Sequence, residues 1–489
     1  MVSPSDLKQA SVSAVKWSAM GTVARYVLQF SAQIVLARLL GPENYGLFAM
    51  GMLVMTLSRF VSDLGFCWSL MQNLHIREED IRFTFTWQLI LGSATAAALY
   101  LSAPLLAAYF NEPRVEQIVR WLSLASVLSA LTAPSTALLS RRLDFRWINI
   151  IQVGSYAIGY LAIGVPLAFH GFGVWSLVAA WLGQALFSLV FSILRCPYPT
   201  RPLLWYDGAA ALWRYGLTVF VTNLCNGLLT NLDRLFLGRF LAARQVGLYT
   251  AGYNLADAPN GLLVSALQPV FFAAGARIQN DPQRLRRGYL SLLATVWILI
   301  APMFVVFAFV ARDIVAILYG PGWELSGSAL MILALGMPAY ITCAMSTPVL
   351  WNTGRKHFES LLQLPILALA GIAFYSLASH GVIMVAGVAA CMQLVRAAVI
   401  ASAACCQLGI GARDLAHSAA RGIVLCLIAA GGTFAGGALF DGTGAAHLAA
   451  FIGGALLGGG VLVMVALMFP ALLGKTVLEV LGRFSVRLP

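Results

Sequence analysis

Few residues in this chain can do chemistry, and most of those few are charges set inside long apolar runs. Arg25 stands near the middle of the first such run. Arg59 and Asp63 follow on the second, four residues apart, so on a helix they share one face and can pair. Asn223, Asn226 and Asn231 line up along the seventh run, which ends at Asp233 and Arg234. Asp257 lies deep in the eighth, flanked by Asn254 and Asn260, and Arg396 stands alone on the twelfth. A charge facing lipid costs at least about 2.5–3.5 kcal/mol, so such residues imply a water-accessible interior or a partner. Arginine suits an anionic ligand, because its planar fork takes phosphate oxygens two at a time. Arg25, Arg59, Asn226 and Arg234 are therefore the candidate ligand-binding residues, and Asp63 and Asp257 the candidates for ion coupling. The structural alternatives stay open. Arg59 and Asp63 can neutralise each other, Asp257 can be a buried partner, and Arg396 can reach the interface along its aliphatic stem.

The elements that position these charges follow from composition. Of 489 residues, 60% are hydrophobic and 10% charged, whereas a soluble surface needs roughly 25% charged. The solvent must be mostly lipid. A bilayer core takes about 20 apolar residues per helix, and the sequence divides into fourteen spans: 12–36, 46–71, 83–110, 116–139, 147–169, 173–194, 209–232, 246–273, 288–311, 328–351, 361–379, 381–406, 418–440 and 446–472. Short loops join them, with Gly41-Pro42, Gly171-Phe172-Gly173 and Gly320-Pro321-Gly322 at the tightest joints. The expected fold is an all-α integral membrane protein. Lys8 and Lys16 precede an apolar run too long for a cleaved signal, so the first helix is expected to be retained.

Of the 31 Lys and Arg, twenty fall in loops on the side of the N-terminus, seven on the opposite side and four within helices. The positive-inside rule then puts both termini in the cytoplasm. The net charge of +12 is spread over these short loops, which fits anionic lipid and gives no support to nucleic acid as a partner. Eight cysteines show no metal-site spacing, and neither disulfide nor zinc is expected. Gly474-Lys475-Thr476 lacks the first glycine of a phosphate loop, since Phe469 stands there. No His-Glu-x-x-His or Gly-x-Ser-x-Gly pattern appears, so catalysis and cofactors are not expected. Lys475, Glu479, Arg483 and Arg487, at four-residue spacing, predict an interfacial helix in the tail.

The chain also repeats. A shift of 201 residues carries Arg38, Leu40, Gly46, Leu47 and Gly51 onto Arg239, Leu241, Gly247, Leu248 and Gly252. Ser135-Thr136 and Ser346-Thr347 recur 211 apart, and His170-Gly171 and His380-Gly381 recur 210 apart. Six helices per copy make the repeat parallel. The reading is two parallel six-helix bundles plus two C-terminal helices, divided as 1–200, 201–412 and 413–489. In this register Arg25 matches Asn226 and Arg59 matches Asn260, which predicts one polar cavity shared by two lobes. Arg38 and Arg239 read as structural, bonding helix C-terminal carbonyls. The paired glycines from Gly431 to Gly460 read as close helix packing.

The segment Ala37-Arg38-Leu39-Leu40-Gly41-Pro42-Glu43-Asn44-Tyr45-Gly46-Leu47-Phe48-Ala49 resembles the first-hairpin signature of bacterial polysaccharide flippases. These are the Wzx-type and colanic- or teichuronic-acid exporter-like members of the multidrug/oligosaccharidyl-lipid/polysaccharide superfamily. Ser140-Arg141-Arg142-Leu143-Asp144-Phe145 is similar to the matching cytoplasmic loop there. The resemblance implies a transporter of the bacterial inner membrane and not an enzyme. Its cargo would be an undecaprenyl-pyrophosphate-linked oligosaccharide, moved from the cytoplasmic to the periplasmic leaflet as two bundles rock about a cationic cavity. Expected partners are that lipid-linked oligosaccharide, membrane lipid and a polysaccharide polymerase complex, with the flippase itself a monomer. The alternatives are a cation-coupled multidrug extruder of the same superfamily, with an apolar and acidic cavity, or a membrane polysaccharide polymerase or ligase, which would need a large periplasmic loop.

Overall fold

The structure, a computed structural model, describes residues 4–62, 67, 70, 76–206, 209–277, 281–353, 356–438 and 446–468. Asp63, the Gly474-Lys475-Thr476 tripeptide and the expected tail helix lie outside them. Every regular element among the described residues is helical, as a chain in hydrocarbon requires when its backbone can bond only to itself. Ten of the helices, counted among the described residues, are long and apolar enough to cross a bilayer. Leu101, Leu105 and Leu194 are 76%, 73% and 75% exposed, a waste of apolar surface in water but the expected state against lipid. This is a multi-pass membrane protein.

Contacts divide the chain into two compact units, Met1–Gly247 and Leu248–Pro489. The first begins with α1 (Pro4–Ser62), which runs as helix on both sides of one non-helical residue, Gly41, at φ 71° and ψ 171°. That left-handed backbone suits glycine, and Pro42 then restarts the helix in its first turn. Next come α2 (Glu78–Phe110), α3 (Arg114–Arg141) and α4 (Phe145–Tyr156). From α4 the helix continues through a π-helical stretch, Ala157–Gly164, into α5 (Val165–Phe169). Then follow α6 (Val174–Arg195), α7 (Ala209–Phe240) and the start of α8 (Ala243–Arg277). Within this unit α2 packs on α3, α3 on α6, and α1 on α3 and α4.

The link from α6 to α7 is laid along α2. Tyr206 Oη donates to the buried Asp80 carboxylate, Trp87 Nε1 donates to the Leu204 carbonyl at 3.0 Å, and Leu203 N–H to Thr86 Oγ1 at 2.8 Å. Tyr198 Oη donates to the Leu131 carbonyl at 2.6 Å, and burial pushes its phenol up to about 12. A connection without secondary structure is thereby given a bonding partner for much of its length.

The second unit contains the rest of α8, then α9 (Pro282–Thr295), a π-helical turn Val296–Ile300 and α10 (Ala301–Phe309). After these come α11 (Ala311–Tyr319), α12 (Glu324–Asn352), α13 (Lys356–Leu377), α14 (Val382–Leu408), α15 (Ala412–Ala438) and α16 (Ala446–Met468). Here α12 packs on α14 and α15 on α16. A core of Leu285, Tyr289, Leu293, Val349 and Ile400 lies among α9, α12 and α14. The fourteen apolar stretches are helical over their described residues except at Gly173, Val310 and Gly381, with most ends extended by a few positions. The short helix α11 falls where the sequence reads as a plain loop.

Glycines set the closest approaches. A Cβ on Gly46 would lie 1.7 Å from the Ala243 carbonyl oxygen, and one on Gly247 would lie 1.9 Å from that of Pro42. The two repeat-related glycines thus press backbone against backbone. On α15 and α16, a Cβ on Gly436 would meet the Gly453 carbonyl oxygen at 2.5 Å, and one on Gly432 would meet Gly458 Cα at 3.4 Å. On this pair Gly432, Gly436, Gly454 and Gly458 are packed close, as read, whereas Gly431, Gly437, Gly459 and Gly460 have nothing within 4 Å of a Cβ. Arg239 does the carbonyl-capping job expected of it: its Nη1 donates to Tyr109 O at 2.7 Å and Ala108 O at 3.2 Å, at the end of α2. Nearby Arg114 joins the α2–α3 turn to the Gly41-Pro42-Glu43 joint, at 2.8 Å from both Glu112 and Glu43.

Two outcomes follow from this packing. Gly46→Ala and Gly247→Ala each lower stability by about 1–3 kcal/mol or more through overpacking, seen as a fall in thermal midpoint of the detergent-solubilised protein, while Gly459→Ala, with nothing within 4 Å of its Cβ, leaves it unchanged. The Arg114 hydrogen bond holds the Glu112 carboxyl below its ordinary value. Its stabilisation is present above the unfolded value of about 4.3 and is lost as pH falls through the lower folded value. Arg114→Gln flattens that acid dependence in melts recorded across the same pH range.

Candidate functional site

In the first unit, side chains at four-residue spacing on two helices face each other. Arg25, Gln29 and Gln33 occupy one face of α1, and Gln152, Tyr156 and Tyr160 occupy one face of α4 and its π-helical continuation. Arg25 Nη1 donates to Gln152 Oε1 at 2.7 Å. Tyr156 Oη reaches the Gln29 carbonyl at 3.5 Å, and Gln33 Nε2 donates to Tyr45 Oη at 2.5 Å. The rings of Tyr156 and Tyr160 stack at 4.3 Å. The π-helical stretch lies close on α6, because Gly159 has no side chain: a Cβ there would be 2.5 Å from the Ala180 carbonyl oxygen. The sequence thus builds a polar ladder between helices whose outer faces are apolar.

Electrostatically the ladder is one-sided. Arg25 is half-buried, its hydrogen-bonded partner is a neutral amide, and its guanidinium lies 5.8 Å from the Tyr26 ring centre. Among the described residues its buried Nε has no hydrogen-bond partner, and neither has Gln184 Oε1 on α6. A cation held by amides and aromatic rings keeps most of its charge unneutralised, which is how an anion site is made.

The other sequence-derived candidates are distributed. Arg59 is exposed in the last turn of α1. Its expected partner Asp63 is outside the described residues. Asn226 is half-buried on α7, where its carbonyl accepts from Thr230 Oγ1 at 2.5 Å. Further along α7, Asn231 is buried and donates to Gly227 O at 2.9 Å, and the buried Asp233 carboxylate accepts the Arg234 backbone N–H at 2.8 Å. Arg234 itself is half-buried.

In the second unit Asp257 is half-buried and accepts from Asn260 Nδ2 at 3.0 Å. A second network, absent from the sequence reading, surrounds Glu359. This carboxylate is 6% exposed and accepts from Trp351 Nε1 at 2.5 Å, Gln363 Nε2 at 2.9 Å and Thr347 Oγ1 at 3.1 Å. Arg396 Nη2 donates to the same Gln363 amide at 3.3 Å. Arg396 therefore meets a partner on α13, and the amide passes its charge toward Glu359. Gln152 was likewise unmarked; the four-residue spacing of Gln152, Tyr156 and Tyr160 was the signal for it. Among the described residues no three His, Cys, Asp or Glu side chains converge as metal ligands would.

Lipopolysaccharide biosynthesis protein WzxC of Escherichia coli (strain K12) is 28% identical over 321 residues, 65% of this chain and 65% of that protein, just under two thirds of its length. Succinoglycan biosynthesis transport protein ExoT of Rhizobium meliloti (strain 1021) is 26% identical over 343 residues, covering 70% and 69%. Among solved structures, lipid II flippase MurJ in an inward closed conformation superposes with a TM-score of 0.73 at 14% identity, over 93% of this chain and 99% of that one. An inward-facing multidrug resistance MATE transporter of the MOP superfamily gives 0.61 at 17% identity, over 79% and 94%. These two likenesses are of fold. The match to the family described as polysaccharide biosynthesis protein runs over residues 35–327, more than half of the sequence, and the chain belongs to that family.

Proposed function

We propose that this protein is a flippase that carries an undecaprenyl-pyrophosphate-linked oligosaccharide from the cytoplasmic to the periplasmic leaflet of the bacterial inner membrane. Transport is by alternating access of two six-helix lobes, 1–200 and 201–412, with 413–489 appended. Both termini lie in the cytoplasm. The observation that carries the reading is Arg25: a guanidinium inside the first apolar helix, bonded at 2.7 Å to an amide rather than a carboxylate. A pyrophosphate supplies the charge that this site lacks, and the polar ladder supplies hydrogen-bonding groups for a sugar. Family membership and the transport and flippase names of its relatives point the same way. Arg59, Asn226 and Arg234 remain candidates for later contacts with the cargo, and Asp257 and Asp63 for coupling to a cation. A polymerase complex would receive the cargo on the far side, and the working unit is a monomer.

The test is flipping of undecaprenyl-pyrophosphate oligosaccharide in proteoliposomes. Wild type transports; Arg25→Ala loses at least about tenfold, the scale of one charge-assisted bond, and Gln152→Leu weakens transport less than Arg25→Ala. Arg59→Ala is compared in the same assay. A folded wild type that moves no lipid-linked sugar, across several glycans, would falsify the flippase reading. For coupling, Asp257→Asn is expected to flatten the dependence of transport on external pH or sodium. Full transport by that variant, with the wild-type profile, removes Asp257 from the coupling step.

A further inference from the structure

The turn Ser140-Arg141-Arg142-Leu143-Asp144-Phe145 takes no part in the Arg25 ladder, yet its conformation is unusual. Leu143 sits at φ 56°, a left-handed backbone that a residue with a Cβ seldom adopts. Three backbone bonds fold the turn back on the end of α3: Arg142 N to Leu138 O at 3.1 Å, Leu143 N to Ser140 O at 3.0 Å and Asp144 N to Leu139 O at 3.0 Å. Arg195 locks it from α6, 3.0 Å from Asp144 Oδ2 and 4.9 Å from the Trp147 ring centre. The result is that two arginines, 141 and 142, leave the helix end together.

They face a third. Arg77 precedes α2, where Asp80 Oδ2 accepts its backbone N–H at 2.8 Å. Arg77, Arg141 and Arg142 line a cavity of about 580 Å³, with Glu78 as the carboxylate among them. Its remaining wall is apolar, formed by Ile76, Ile81, Leu138 and Pro199. Arg141 is half-buried, with Nη1 on the Leu70 carbonyl at 3.2 Å, whereas Arg77 and Arg142 are exposed. Beside the cavity Leu143 and Trp147 expose apolar surface, at 45% and 37%.

This combination is selective. Among the described lining residues, three guanidinium groups stand against one carboxylate, a positive excess that fits a phosphate or pyrophosphate oxyanion. A soluble anion has no use for an apolar wall, and a nucleic acid would need a basic surface far more extended than these three arginines. A phosphate carried on a hydrocarbon chain uses both walls. The site sits at the ends of α2 and α3 on the side to which the arginine count assigns the cytoplasm, where anionic headgroups collect. We infer that the cavity between the start of α2 and the Arg141–Asp144 turn is a binding site for the phosphate of a membrane lipid, separate from the Arg25 ladder. The claim concerns binding alone and stands whether or not the chain flips oligosaccharides.

Native mass spectrometry of the purified full-length protein tests it, with phosphatidylglycerol, a polyprenyl pyrophosphate, phosphatidylcholine and inorganic pyrophosphate as probes. The two lipids with net negative phosphate are expected to bind, phosphatidylcholine less. Arg77→Gln/Arg142→Gln, two exposed positions whose change spares the fold, is expected to lose about tenfold or more in affinity. Arg146→Gln, exposed but outside the cavity lining, retains wild-type binding. Preference for the polyprenyl pyrophosphate identifies the cargo as the occupant, and preference for phosphatidylglycerol identifies bulk lipid. Unchanged binding in the double variant, equal retention of phosphatidylcholine, or full competition by inorganic pyrophosphate overturns the inference.

Discussion

In hydrocarbon a backbone amide has no water to bond, so each N–H and C=O must find its partner within its own helix or at a protein neighbour. The places where this chain departs from regular helix are therefore the informative ones. At Gly41 the helix breaks, and Asn44 Nδ2 donates to the Leu40 carbonyl at 2.9 Å. At the end of α2 the exposed carbonyls are taken by Arg239, whose Nη1 reaches two of them. Between α6 and α7 the irregular stretch is bonded to Thr86, Trp87 and Asp80 of α2. Each of these three interruptions is matched by a polar side chain placed to receive it. The polar clusters around Arg25 and Glu359 lie at none of these breaks.

The repeat explains why these clusters are arranged as they are. Gln152 and Gln363 are 211 residues apart, the same offset as Ser135-Thr136 and Ser346-Thr347. Each glutamine accepts a guanidinium through its amide oxygen: Gln152 from Arg25, Gln363 from Arg396. The arginines are not repeat equivalents, since one comes from the first helix and the other from α14. At the offset of the sequence repeat both copies carry a glutamine, and its cation comes from a different helix in each. The second copy adds Glu359, four residues before Gln363, so that the amide bridges cation and carboxylate. In the first copy that position, 148, is Ile148. The same scaffold thus yields one compensated site and one positive site.

What could be read in the sequence was what hydropathy and backbone chemistry mark. The apolar runs gave the helices, Gly41-Pro42 and Gly320-Pro321-Gly322 gave joints, and paired glycines gave the close contact of α15 with α16. Pairing between helices was harder to read. Arg25 and Gln152 are separated by 127 residues, and whether they meet depends on how α1 and α4 are rotated about their axes. In water an apolar stripe reports that rotation; here both the lipid face and the packed face are apolar, so the stripe is faint. Glu359 was hidden for another reason. It follows Arg355 and Lys356 and was assigned to a loop, whereas α13 begins at Lys356 and carries the carboxylate inward. Arg312 and Asp313 disguised α11 in the same way, because two charges ended the apolar run that its backbone continues as helix.

The charge around Arg25 bears on the two transport readings that the sequence leaves open, while the second unit also holds the half-buried Asp257 carboxylate, bonded to the Asn260 amide. A cation-coupled drug extruder needs acidic groups facing its cargo, because its substrates are apolar cations. In the second unit the carboxylate of Glu359 is enclosed by three donors and linked through Gln363 to Arg396. Its charge is spent inside the protein. In the first unit the hydrogen-bonding partner of Arg25 is an amide, and among the described residues its buried Nε has no partner. Taking a cation even partly out of water without a counter-charge is unfavourable, a cost that a passing anion lowers and a passing cation raises. Around Arg25, then, the described side chains suit an anionic headgroup better than a cationic drug.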